Sequence, residues 1–196
     1  MKNKIEQLAY KTIASIIFDG AKVLDLGCGA GDLLDYLCTH KNINGQGLDI
    51  SQDAISNCIQ KGLSVFHSDI ENGLDAYPDQ SFDFVILFNS LQEIKNVDSI
   101  IEQCFRIGKK LIVGVPNFGQ LHSRLKLLFG YSPVTKHLPY TWFNSPNIRF
   151  LTIKDFYVYC AMRRYKILDA FFFALDKPVN FLPNLFAYTS VFVISK

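Results

Sequence analysis

The chain has 196 residues, half of them apolar and 17 of them Phe, which suits one domain with a sizeable core and excludes disorder as a reading of the whole. Twenty basic residues against 18 acidic ones leave a net charge of +2, too even a balance for the clustered basic face that nucleic acid requires. The five cysteines are odd in number and form no CxxC, which reads as reduced thiols in an intracellular protein; His40, His67, His122 and His137 lack metal-ligand spacing, so no metal site is expected.

Residues 4–18 repeat apolar side chains at Ile5, Leu8, Ile13, Ile16 and Ile17, the spacing of a one-faced helix that Gly20 ends. Glu6, Gln7 and Lys11 interrupt any secretory apolar region there. No stretch of about 18 uncharged apolar residues occurs anywhere, so no membrane span is expected and a cytoplasmic location follows. AKVLDLG is a short buried strand feeding a glycine turn, and GDLLDYLCT opens the next helix, with Asp32 placed to suit the helix dipole. GQGLDIS is a second strand. Ser51 and Asp53 open a helix through Ala54, Ile55, Cys58 and Ile59 that Lys61-Gly62 closes. LSVFHSDI is a third strand. SFDFVILFNSL is a fourth, continuous and apolar as a strand covered on both faces should be, with Asp83 a structural residue at its start. A helix over 97–105 and the strand KKLIVGVPN follow.

Strands thus alternate with helices from residue 22 to residue 116, which gives a parallel sheet with helices on both faces. The rhythm breaks at 117–150, an insertion holding two histidines and the lone Trp. A helix LHSRLKLLF, a Pro- and aromatic-rich connection and a helix over 151–163 come next. Strands over 166–175 and 188–195 complete the chain, with Arg163-Arg164-Tyr165-Lys166 a solvated helix end. We read residues 1–196 as one domain with a lid-like insertion at about 117–150.

The turn VLDLGCGAGD lacks the Gly-Lys-Ser/Thr of a phosphate-cradling loop. It also lacks the third glycine of a dinucleotide fingerprint, where Asp32 stands instead and would repel a pyrophosphate. What remains, Asp25 followed by Gly27, Gly29 and Gly31, resembles the class I methyltransferases that use S-adenosylmethionine (SAM). That ligand has no phosphate but carries an ammonium and a sulfonium, which a carboxylate at the strand end attracts. Glycine lets the backbone approach it closely. Asp49 ends the second strand, where an acidic side chain can accept ribose hydroxyls. The resemblance implies that Asp69, ending the third strand, takes the adenine amine. It places Cys28, Ile50 and Ile70 beside the ligand, and Phe88 and Asn89 on the methyl-transfer face, with S-adenosylhomocysteine as the product form.

A more specific resemblance runs through PNFG at 116–119, RLKLL, and PVTKHLPYTWFNSPNIRFLTIKDF at 133–156, together with FNSLQEI and LDLGCG. This series is similar to the MetW family of bacterial methionine-biosynthesis proteins, from about residue 20 to about residue 170. The chain departs from that family's pattern at Gln120-Leu121, where His-Trp is usual, and at Arg149, where His is usual. The resemblance implies an α/β fold, a Rossmann-like three-layer sandwich whose mostly parallel seven-stranded sheet carries an antiparallel C-terminal strand. It implies a partner or activator of homoserine O-acyltransferase with a SAM pocket, or alternatively an active methyltransferase on a small-molecule acceptor. If an acceptor must lose a proton, Glu93, His122, His137 and Tyr140 are the available bases. His122 and His137 read equally as polar residues of the insertion, and Tyr140 and Trp142 as part of a packed lid or an interface.

Overall fold

The computed structural model describes residues 4–134, 140–175 and 177–196. The elements run α1 (Lys4–Ile16), β1 (Lys22–Leu26), α2 (Asp32–Lys41), β2 (Asn44–Asp49), α3 (Gln52–Gln60), β3 (Val65–His67), α4 (Ile70–Gly73), β4 (Phe82–Phe88), α5 (Val97–Ile107), β5 (Gly108–Pro116), α6 (Leu121–Leu128), α7 (Ile153–Arg163), β6 (Lys166–Ala174), β7 (Lys177–Pro178), α8 (Pro183–Phe186) and β8 (Thr189–Ser195). The sheet order is β3-β2-β1-β4-β5-β8-β6-β7. The first five strands are parallel, and β8 enters antiparallel between β5 and β6.

This is the expected three-layer sandwich, with one strand more than expected. Leu175 turns at positive φ, and the chain folds straight back, pairing Phe173 with Pro178 and Ala174 with Lys177. The additional β7 is that two-residue hairpin arm on the sheet edge. Two further differences are local. The third strand closes at His67 because Asp69 leaves it to cap α4, its Oδ1 accepting the Glu71 N–H at 2.9 Å. The Pro-containing loop before β8 contains the one-turn α8, with Pro183 at its start, where the missing N–H costs nothing.

The apolar run of β4 is split between two cores by the strand's alternation. Val85 and Leu87 join the layer covered by α5 and α7, as does Phe82 at the strand's start, out of step with the alternation. Phe84 and Ile86 join the layer covered by α1 and α2. Asp83 has the structural role expected of it: its carboxylate accepts the Lys22 N–H and pairs with Lys109, and these partners hold its pKa low. The basic stretch at 163–166 is partly a solvated helix end. Arg163 pairs with Asp98 and Arg164 makes the left-handed exit from α7, but Tyr165 is buried and donates to Glu102.

The ring of Phe192, in the inserted β8, lies fully buried with Phe156 at 4.6 Å, Tyr157 at 5.2 Å and Phe172 at 6.0 Å between centroids. It ties the C-terminal strand to α7. Phe192→Ala is expected to cost about 3–5 kcal/mol, read as a lowered urea midpoint with an unchanged slope.

Candidate functional site

The carboxyl ends of β1, β2 and β4 meet at one edge of the sheet, and the positions singled out in the sequence come to that edge. The turn after β1 is fastened to the end of β2. Gly27 N–H and Cys28 N–H both donate to Leu48 O, at 2.8 and 3.1 Å. The Asp49 carboxylate accepts from Gly29 N–H at 2.7 Å through Oδ2 and from Ser51 N–H at 2.8 Å through Oδ1. Gly27 and Gly31 both have positive φ and no room for a side chain. A Cβ on Gly27 would lie 2.8 Å from the Ser90 Cβ, and one on Gly31 would lie 2.6 Å from Leu63. Gly29 is the contrary case: nothing lies within 4 Å of where its Cβ would be, so this is where the turn is open to a ligand.

Asp25 is 2% exposed. Burial first, and the nearby Asp49 carboxylate second, push it up to about 7. Tyr10 of α1, which the sequence reading passed over, is buried among the same acids; burial, then Glu6, Asp32 and Asp25, raise its hydroxyl pKa. Cys28 turns its thiol beneath the loop, so close to β2 that a Cβ on Gly47 would lie 2.8 Å from its sulfur. Only its backbone faces the turn's outer side, and burial pushes the thiol pKa up, the state of an inert structural cysteine. Asp32 heads α2 and pairs with Lys61 at 2.7 Å.

Asp69 is half-buried, with Oδ1 on Glu71 N–H and Oδ2 taking the Asn72 amide at 3.3 Å. Ile70 reaches towards Gly27, and Ile50 beside Asp49 is 66% exposed. After β4, Asn89 adopts φ 58 and donates its N–H to Gly114 O at 3.2 Å. Phe88 lies so close over Gly114 that any Cβ there would collide with its ring. Ser90 donates its hydroxyl to Leu26 O at 3.0 Å, joining the ends of β4 and β1.

Phe88, Asn89, Glu93 and Tyr140 line one cavity of about 220 Å³, and Glu6, Gln92 and Asn147 share it. The segment over it is held down at Gln92, whose backbone O accepts from Ile148 N–H at 3.1 Å and Arg149 N–H at 3.2 Å. The Arg149 guanidinium donates to the carbonyls of Ile94 and Lys95, which explains that departure from the family's His as a strap. Gln120, the other departure, is buried and caps α6, its Oε1 accepting the His122 N–H at 2.8 Å. Partial burial, with Asp49 second, raises the Glu93 carboxyl pKa. Among the bases considered, Glu93 and Tyr140 line the cavity. His122 stands exposed on α6 and does not line it, and His137 lies outside the described residues. No group of three or more His, Cys, Asp or Glu among the described residues could hold a metal, and no described helix is long and apolar enough to cross a membrane.

A family model described as "Methionine biosynthesis protein MetW" matches residues 7–194. The bifunctional methionine biosynthesis protein MetXA/MetW of Rhodopirellula baltica is 34% identical over 155 residues, covering 74% of this chain and 25% of its own length. A fatty-acid O-methyltransferase of Mycolicibacterium smegmatis is 29% identical over 106 residues, covering 52% of this chain and 38% of its own. The chain therefore spans well under half the length of these curated relatives. A crystal structure of a SAM-dependent methyltransferase from Archaeoglobus fulgidus superposes with a TM-score of 0.70 at 19% identity, covering 97% of this chain and 94% of that one.

Folded Asp25 keeps its proton to about pH 7, whereas an unfolded carboxyl loses it near about pH 4. Between those values folding takes up a proton, so this residue makes the fold less stable as pH rises, levelling off above about pH 7. Asp25→Asn is expected to raise the melting temperature at pH 8 relative to wild type and to leave it nearly unchanged at pH 4. Thermal unfolding across that range checks it, and an equal effect at both ends would refute the assignment.

Proposed function

The chain belongs to the MetW family, and from that premise we propose that it binds SAM at the glycine turn and acts as a partner or activator of homoserine O-acyltransferase. One observation carries the partner half: in the R. baltica relative the MetXA and MetW names share a single polypeptide, of which the region resembling this chain is a quarter. The cofactor half is supported by the fit of the residues present. Asp25 is a buried carboxylate, suited to the cationic end of the ligand. Asp49 has both oxygens fixed in place by backbone N–H groups and retains acceptor capacity for ribose hydroxyls. Asp69, the cap of α4, is the residue for the adenine amine, and the room beside Gly29, with nothing within 4 Å of where its Cβ would be, supports a ligand at the turn. When bound, SAM supplies an activated methyl group and a cation.

SAM is made from methionine, so a SAM pocket on a partner of an early biosynthetic enzyme has the logic of feedback. Exposed apolar side chains support the partner reading. α6 carries exposed Leu121, Leu125 and Leu128, and Phe129 follows it. Nearby, Tyr157, Leu182 and Leu185 line a hollow of about 540 Å³, and Arg124 joins α6 to Asn184 of α8. The second reading, methyl transfer to a small acceptor, is favoured by the cavity beside Phe88 and Asn89. There the protein's part would be to hold the acceptor in line, which can supply much of the rate.

The two readings separate on binding to the acyltransferase. SAM and S-adenosylhomocysteine are expected to raise the melting temperature of this chain, and Asp49→Ala to abolish that rise. SAM is also expected to change the Kd for homoserine O-acyltransferase by about 5- to 150-fold, with the acyltransferase changing the SAM Kd by the same factor. Equal acyltransferase affinity with and without SAM sinks the regulatory reading. S-adenosylhomocysteine release with an acceptor supports the catalytic one.

A further inference from the structure

Three buried side-chain atoms among the described residues lack a hydrogen-bond partner: Ser81 Oγ, Gln92 Oε1 and Asn147 Oδ1. Two of these three belong to one cavity, the one beside Phe88 and Asn89. Buried polar atoms are nearly always paired, so two acceptors left over in one small space are informative. The Gln92 amide cannot simply be turned round, because its Nε2 donates to Asn89 O and the reversed amide would set oxygen against oxygen. Gln92 is 6% exposed.

The charges of the described residues that line the cavity have one sign. Glu6 of α1 and Glu93 of the turn after β4 line the same cavity, and no Lys, Arg or His among the described residues does. Arg149, the nearest cation in sequence to Asn147, is committed to the carbonyls of Ile94 and Lys95. Asp49 adds its field at Glu93. Phe88 and Tyr140 supply aromatic surface, which favours a cation over a neutral ligand. None of Asp25, Gly27, Gly29 and Asp49 lines this cavity, so it lies beside the glycine turn and not within it.

We propose that the cavity formed by Glu6, Gln92, Glu93 and Asn147 is a binding site for a small molecule carrying a primary ammonium group. The two unpartnered amide oxygens call for N–H donors, and the two carboxylates call for positive charge. A quaternary ammonium satisfies only the second demand. The volume, about 220 Å³, admits a compact ligand and excludes a long chain. That this ligand lies against the methyl-side wall of the SAM pocket rests on the function proposed above; its binding here does not.

Propylammonium chloride is the probe, with 1-propanol, tetramethylammonium chloride and sodium chloride as controls at matched concentration. Each is titrated against the full chain, wild type, Glu93→Gln and Asn147→Leu, with and without saturating S-adenosylhomocysteine. Propylammonium is expected to bind and the three controls not. Both variants are expected to weaken it at least tenfold while the S-adenosylhomocysteine Kd stays within twofold. The near-isosteric Glu93→Gln keeps the test sound if Asn147→Leu fails to fold. The proposal is overturned if propylammonium does no more than sodium chloride or if the variants bind it as wild type does. It is also overturned if the S-adenosylhomocysteine Kd rises in step with that of the amine, since the acceptors then serve the cofactor's own ammonium. Absence of any S-adenosylhomocysteine binding in wild type would count against the SAM reading alone.

Discussion

Asp49 accepts two backbone N–H groups at once, one from Gly29 across the gap to β1 and one from Ser51 just beyond it. Each oxygen of the carboxylate thereby fixes a different piece of chain. Gly29 belongs to the turn between β1 and α2, and Ser51 is the cap of α3, its side chain accepting the Ala54 N–H. With Leu48 O receiving two further N–H groups from the turn, the end of β2 sets where the glycine loop can be. The opening over Gly29, the burial of Asp25 beneath it and the position of Ser90 against Gly27 all follow from that fastening.

The same fastening has an electrostatic cost. It brings the Asp49 carboxylate near Asp25, a carboxylate in a place with almost no water. A core position that served stability alone would hold an apolar side chain or an amide. The local rule is broken where a cationic ligand would repay it, the pattern expected of a binding edge. On the far side of Phe88 the arrangement repeats in another form, with uncharged amide acceptors beside carboxylates.

Much of this was legible before any coordinates. The alternation of strands and helices, the strand ends at Asp25, Asp49 and Phe88, and the structural role of Asp83 rest on short-range patterns, hydrophobic period and turn chemistry. What escaped was non-local. Tyr10 lies in the first helix, and apart from Glu6 on its own helix the acids near it, Asp32 and Asp25, come from the next two elements. Gln92 and Asn147 sit 55 positions apart in stretches with no motif; only the chain's return over the end of β4 brings them to one cavity. Arg149, which the sequence shows only as a departure from the family's His, is the strap that holds that return in place. The capping of α4 by Asp69 cut the third strand short, a competition between turn and strand that a single acidic residue decides.

The placement of β8 also bears on how the molecule is made. Its pairing with β5 joins Pro116 to Thr189 and Leu111 to Ile194, and its other edge receives β6. A strand that emerges late from the ribosome is therefore an interior member of the sheet. Until residues 189–195 are synthesised, the outer edge of β5 has no neighbour and β6 has only the two-residue β7 to pair with. The N-terminal layer of α1, α2 and the first parallel strands can gather early, as nascent domains do, while a hydrophobic strand edge stays open through the whole synthesis of the insertion. Such long-range pairing is slow, and an unpaired apolar edge invites other chains. A newborn molecule of this fold has its greatest need of chaperone protection in that interval, at the outer edge of β5, the strand whose carboxyl end supports Phe88 and Asn89.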